Sequence, residues 1–141
     1  MQWTLEQVAA WALHAGWVGE PLRLVLVHVQ ITSGCDDTHQ VPIGPPNQAR
    51  EAGLIGVDLV KYPPPEDVNV WRGPDAVRYA LVLFSEAEWA WTWHAGNFTG
   101  ATTETYAAAD RAIGNPQATI DAQVADVRRW RALTSRLPWR A

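Results

Sequence analysis

Pro21 to Thr32 reads PLRLVLVHVQIT, and two kinds of secondary structure compete for it. Leu24, Val25, Leu26, Val27, Val29 and Ile31 make a nearly continuous apolar, β-branched run, which is the composition of a buried strand. Pro21, however, suits the first turn of a helix, where its missing N–H has no partner to lose. Pattern alone leaves both open. The run leads straight into HVQITSGCDDTH, His28 to His39, which is crowded with polar and titratable side chains just before a Pro/Gly-rich region.

Upstream, Thr4-Leu5-Glu6-Gln7 has the spacing of a capping box, and Val8, Trp11 and Leu13 continue a helix that Gly16 stops. Downstream, Gly34 to Pro74 is rich in Gly, Pro, Asn and Asp, with Pro45-Pro46 and Pro63-Pro64-Pro65 as stiff breaks. It reads as loop, with short strands or turns expected around Leu54–Leu59. Irregular stretches of this length in a compact domain usually carry function. Pro74-Asp75 opens a helix with Val77, Ala80, Leu81 and Phe84 on one face and Arg78 and Glu86 off it. Thr103 to Ile113 reads as a further helix ended by Gly114. Thr119 to Leu137 reads as a last amphipathic helix, with early Asp121 and Asp126 and late Arg128, Arg129, Arg131 and Arg136 complementing its dipole. The expected fold class is mainly α, divided into a domain over 1–114 and a C-terminal amphipathic helix over 115–141 that docks or oligomerises.

Composition sets bounds on function. The chain has 141 residues, 48% apolar and 18% charged, which suits one globular domain with a real core. A formal charge of −4 speaks against tracking nucleic-acid phosphates. No apolar run approaches the roughly 20 residues that span a bilayer, so no membrane partner is expected. The sole cysteine, Cys35, leaves no internal disulfide. No basic region followed by an apolar core opens the sequence, so no signal peptide is expected. Nine tryptophans are more than a core this size needs, which raises the prospect of stacking or partner surfaces.

Several pieces taken in order resemble the lysozyme-like, transglycosylase-type domains of actinobacterial and phage proteins. The pieces are Ile31-Thr32-Ser33-Gly34-Cys35, then Asp37-Thr38-His39, then Gly53-Leu54-Ile55-Gly56-Val57-Asp58. The helix after Asp75 and the aromatic run Trp89 to Phe98 complete the series. The resemblance covers roughly Thr4 to Gly100, each motif being weak by itself. It implies a lysozyme-like fold around a central buried helix, with Leu22–Thr32 as that helix despite its β-branched content. Burial can override a propensity cost of some tenths of a kcal/mol per residue.

What departs from the family pattern matters most. The resemblance places a general acid, a glutamate, immediately before Ser33-Gly34, where this chain has Thr32. A carboxylic acid in an apolar cleft is held protonated and can protonate a glycosidic oxygen, whereas a threonine hydroxyl cannot. The family's cleft-lining glutamine corresponds to Gly56. Catalytic residues are therefore not expected, and Thr32 is a degenerate position. Glu51 and Asp58, across the implied cleft, are the candidates for a relocated acid; Asp36 and Asp37 read as solvated loop carboxylates and caps. Ser33, Gly53, Leu54, Gly56, Trp91 and Trp93 are the substrate-cleft candidates. For the Trp89, Trp91 and Trp93 run, core packing competes with sugar stacking.

Three other chemistries fit these residues less well. Cys35, Asp36, Asp37 and His39 are metal-capable, but His14, His28 and His94 are scattered, so no metal or cofactor is expected; an Asx-turn beside a free thiol is the plainer reading. Cys35 with His39 lacks a third group to orient the base. His28, inside the apolar run, reads as a satisfied core or cleft histidine. Trp71, Trp130 and Trp139 are candidates for contact with a partner. The resemblance implies a silent lysozyme-like protein reused in a virion, for instance at a tail tip, or in cell-wall binding. Its implied partners are other virion or assembly proteins, peptidoglycan, or a second copy of the chain. The alternative is an active muramidase or lytic transglycosylase with a relocated acid.

Overall fold

The computed structural model describes residues 1–44, 49–87, 100–114 and 128. Within them the chain is mainly helical: α1 (Leu5–Ala15), α2 (Gly19–Thr32), β1 (Gln40–Pro42), β2 (Ala49–Ala52), α3 (Gly73–Ala87) and α4 (Thr103–Ile113). The amphipathic segment 119–137, including Trp130 and Trp139 nearby, lies outside the described residues apart from Arg128, as do Trp89, Trp91 and Trp93.

α1 starts and stops where its local chemistry says it should. The Thr4 hydroxyl accepts from the Gln7 N–H at 3.2 Å, and the Gln7 side chain accepts from the Thr4 N–H at 2.9 Å. At the other end, left-handed Gly16 donates to the carbonyls of Ala12 and Leu13. α4 repeats the device, with Thr102 and Thr105 forming a reciprocal cap and Gly114 closing the helix.

α2 is a helix over the whole of the ambiguous stretch. Leu22 and every residue from Val25 to Val29 are buried, so the helix is covered nearly all round rather than along one stripe. That coverage explains both the fold and the ambiguity. Each fully buried Val or Leu contributes roughly 1.5–3 kcal/mol, far more than the few tenths lost by placing it in a helix. α1 and α3 pack on each other and α4 packs on α1 and α2. Trp17 is completely buried at this junction; its indole N–H donates to the Val77 carbonyl at 2.8 Å and its ring stacks on Phe84. Trp3 meets Trp11 edge to face, 4.8 Å between centroids. On α3, Val77 and Ala80 are fully buried, Leu81 and Phe84 pack partly buried against the core, and Arg78 is exposed.

Of the short strands or turns expected around Leu54–Leu59, the structure has turns: residues 53–56 form one, with left-handed Gly53 and Gly56 at φ +74° and +71°, a backbone that cannot continue a strand. The short strands lie upstream, as an antiparallel hairpin pairing Gln40 with Ala52, Val41 with Glu51 and Pro42 with Ala49. Two expectations need correction. Asp37 is not a solvated loop carboxylate: it is fully buried, and accepts from the Met1 amino group at 2.7 Å and the Trp3 indole N–H at 2.9 Å. The N-terminal residues fold back over the 35–37 loop and cover it, Trp3 N–H donating to the Cys35 carbonyl. Trp71, expected as an exposed anchor, is half-buried against the core. No described helix is long and apolar enough to cross a membrane.

Candidate functional site

The polar residues at the C-terminal end of α2 converge on the 53–56 turn. The His28 Nε2 lies 2.6 Å from the Ile55 carbonyl. A carbonyl only accepts, so Nε2 carries the proton and Nδ1 offers a lone pair. The Thr32 hydroxyl, 3.1 Å from Nδ1 and one helical turn further on, is therefore the donor. Ser33 Oγ donates to the Leu54 carbonyl at 2.7 Å, with the Val29 carbonyl at 3.2 Å. Two adjacent carbonyls of the turn are thus tied to the end of α2 by His28 and Ser33.

Burial makes His28 neutral. It is 2% exposed, and loss of solvation pushes its pKa down to about 4, with the Ile55 carbonyl opposing the shift in part. A histidine so enclosed cannot touch a ligand, and the half-buried Thr32 hydroxyl has its one proton committed to it. The chain Thr32–His28–Ile55 holds a proton in place; it supplies no acid of the strength that glycosidic cleavage needs.

The turn itself is fixed by backbone. A Cβ on Gly53 would stand 2.1 Å from the Val70 carbonyl oxygen, so only glycine fits against that strand of loop. Gly53 N–H donates to the His39 carbonyl at 2.8 Å, which joins the turn to the base of the hairpin. Gly53, Leu54 and Gly56 are buried and Ser33 is half-buried, so of these four cleft candidates Ser33 alone offers a partly accessible side chain.

The candidates for a relocated acid are both engaged. Glu51 Oε2 is 2.8 Å from His39 Nε2, a diagonal pair across the hairpin with both side chains about a quarter exposed. Asp58 Oδ1 accepts from the N–H groups of Val60 and Lys61, closing the turn that follows. Asp36 makes the Asx-turn, accepting from the Thr38 N–H and hydroxyl, which hold its carboxyl below the usual range. Cys35 is buried at φ +65°, and burial, with Glu6 nearby, pushes its thiol up to about 11. It is no thiolate near neutrality, so it is not a nucleophile there. Among the described residues no three His, Cys, Asp or Glu side chains gather as a metal site would require.

Sequence reasoning missed two contacts. The His28–Thr32 pair was legible as an i, i+4 spacing once α2 is a helix. The His39–Glu51 pair depends on hairpin register, for which nothing in the local sequence gives a signal. Compared with protein-family models, with curated proteins and with solved structures, the chain gives no match.

Proposed function

We propose that this chain is a catalytically silent lysozyme-like domain, reused as a structural or cell-wall-binding component. Two kinds of support stand behind it. One is the resemblance of Thr32-Ser33-Gly34, Asp37-Thr38-His39 and Gly53–Asp58 to lysozyme-like domains. The other is the order of elements, in which a buried helix, a small hairpin, a glycine turn and a Gly-Pro-Asp helix follow one another. A virion role, with assembly proteins or a second copy of the chain as partners and the host cytoplasm as the site of synthesis, extends the resemblance and rests on it alone.

One observation carries the loss of catalysis. The residue at the acid's position, Thr32, gives its only proton to a buried imidazole, and the carboxylates nearest in sequence to the glycine turn are occupied by His39 and by a turn. The competing reading, an active muramidase with a relocated acid, draws on Glu51, whose carboxylate is half-buried beside an imidazole.

Release of soluble muropeptides from purified actinobacterial cell wall separates the two, with a known muramidase alongside. No release is expected, together with co-sedimentation of the protein with the wall. Thr32→Glu alone is expected to stay silent, because Gly56 still lacks the glutamine side chain; rebuilding that as well would place a side chain at φ +71°, a strain of about 1–2 kcal/mol. Release by the unmodified chain that disappears in Glu51→Gln or Asp58→Asn would overturn the silent reading.

A further inference from the structure

The loop between the glycine turn and α3 carries Lys61-Tyr62-Pro63-Pro64-Pro65-Glu66-Asp67 across the surface. Composition dictates its backbone. Each proline fixes φ at about −65°, and each residue before a proline is driven out of the helical region toward ψ of about +120° to +160°. Tyr62, Pro63 and Pro64 all precede a proline, and no peptide bond among the described residues is cis. One turn of polyproline II helix results, about 9 Å long. It is held from behind: the Tyr79 hydroxyl on α3 donates toward the carbonyls of Tyr62 and Pro63, at 3.3 and 3.1 Å. Both ends are closed, by Tyr62 N–H on the Asp58 carbonyl at 2.8 Å and by Val68 N–H on the Pro65 carbonyl at 3.0 Å. In front it is open. Successive residues of this helix point about 120° apart, so half-buried Pro64 leaves Pro63 and Pro65 exposed as a ridge. Val60, just upstream, is 58% exposed.

The chemistry of the ridge selects its partner. Prolines carry no N–H, so the ridge offers ring faces and carbonyl oxygens but no donor, and strand addition is ruled out. A groove of aromatic rings on another protein fits both features: the rings pack on the pyrrolidine faces, and indole or phenol groups donate to the carbonyls. The pinned backbone has no conformational freedom left to lose, which lowers the cost of docking. Charge gives the ridge a direction. Exposed Lys61, its ammonium 5.4 Å from the Tyr62 ring centroid, precedes the prolines, and exposed Glu66 and Asp67 follow them. A groove with an acidic rim at one end and a basic rim at the other is the complement. A phosphate-bearing surface would be repelled by the two acids.

We propose that residues 60–67 are a docking site for a partner protein that reads polyproline II with an aromatic-lined groove. The inference draws on neither Thr32 nor the cell wall and stands if that reading fails.

The test is an NMR titration of the full chain with three purified polyproline-reading domains, an SH3, a WW and an EVH1 domain. At least one is expected to shift the amides of Lys61, Tyr62, Glu66 and Val68. Replacing both exposed prolines, Pro63→Ala with Pro65→Ala, should weaken that affinity about tenfold, the scale of two lost rings and their rigidity. Lys61→Glu, at an exposed position that no fold contact requires, should weaken it as well and serves if the proline variant does not fold. Prolines that only stiffen the loop would give a different result, a lower urea midpoint in the proline variant with no binding to lose. No shift with any of the three domains at millimolar concentration, shifts confined to other surfaces, or unchanged affinity in a folded proline variant would each overturn the proposal.

Discussion

At its C-terminal end α2 turns His28 inward, where it bonds to Thr32 and to the Ile55 carbonyl, while the neighbouring Ser33 donates to the Leu54 carbonyl. Nearer its N-terminus the same helix turns Arg23 outward, onto Asp110 and Tyr106 of α4. Both clusters are ordered by hydrogen bonds, yet their consequences differ. Inside, the buried bond from His28 to the Ile55 carbonyl satisfies groups that water does not reach, so removing that partner leaves an orphan costing about 1–3 kcal/mol. Outside, water replaces whatever is lost, and an exposed ion pair adds little to stability. The fold depends on the inner bonds and can spare the outer ones.

The largest effect expected lies at the turn to which the inner cluster is tied. Gly53→Ala puts a Cβ into the Val70 carbonyl and forces a non-glycine residue to φ +74°. Left-handed strain and overpacking together cost about 2–5 kcal/mol, enough at the upper end to unfold a marginal domain. Urea denaturation of the variant is the measurement. A loss under about 1 kcal/mol would mean that residues 53–56 yield easily and that the inner cluster holds nothing rigid.

The next effect is pH dependence from His28. Its folded pKa, about 4, lies below its unfolded value near 6.5, so the unfolded chain takes the proton first. This contribution to stability is complete above pH 6.5, falls as pH drops from 6.5 to 4, and is flat below that. The total is on the order of 3 kcal/mol. His28→Leu removes the titration while leaving every other acid and base in place. The difference in unfolding free energy between wild type and variant should therefore shrink as the pH falls through that window. Parallel pH profiles would show that His28 protonates within the fold, and the inner cluster would then be as open to water as the outer one.

How much of this was legible depends on where the information sits. α1 and α4 announce themselves because their caps are local: Thr4 with Gln7, and a glycine after each. α2 does not, because a helix buried on nearly all sides carries no polar stripe, and its valines mimic a strand until tertiary packing decides. The hairpin is shorter still, three and four residues with Pro42 and a register shift at Val41/Pro42, so no alternation survives to be read. Gly53 and Gly56 marked a special backbone, but not that its carbonyls would meet Ser33 and His28. Asp37 misled for a plain reason: an acid in an Asp-Asp-Thr loop reads as hydrated, and only the return of Trp3 covers it. The outer pair was invisible, since Arg23 and Asp110 stand 87 positions apart.

The smallest effect should come from that outer pair, and its smallness is what the comparison requires. Arg23→Gln, Asp110→Asn and the double variant form a thermodynamic cycle that isolates the pair from other changes at each site. The expected coupling is at the level of measurement error at 0.15 M salt and no greater at higher salt, since both side chains are substantially exposed and their charges are screened. A large coupling would place Arg23 and Asp110 among the bonds the fold depends on. Their hydrogen-bonding capacity would then be spent within the protein, as that of His28 and Thr32 is, and the difference between the two ends of α2 would vanish.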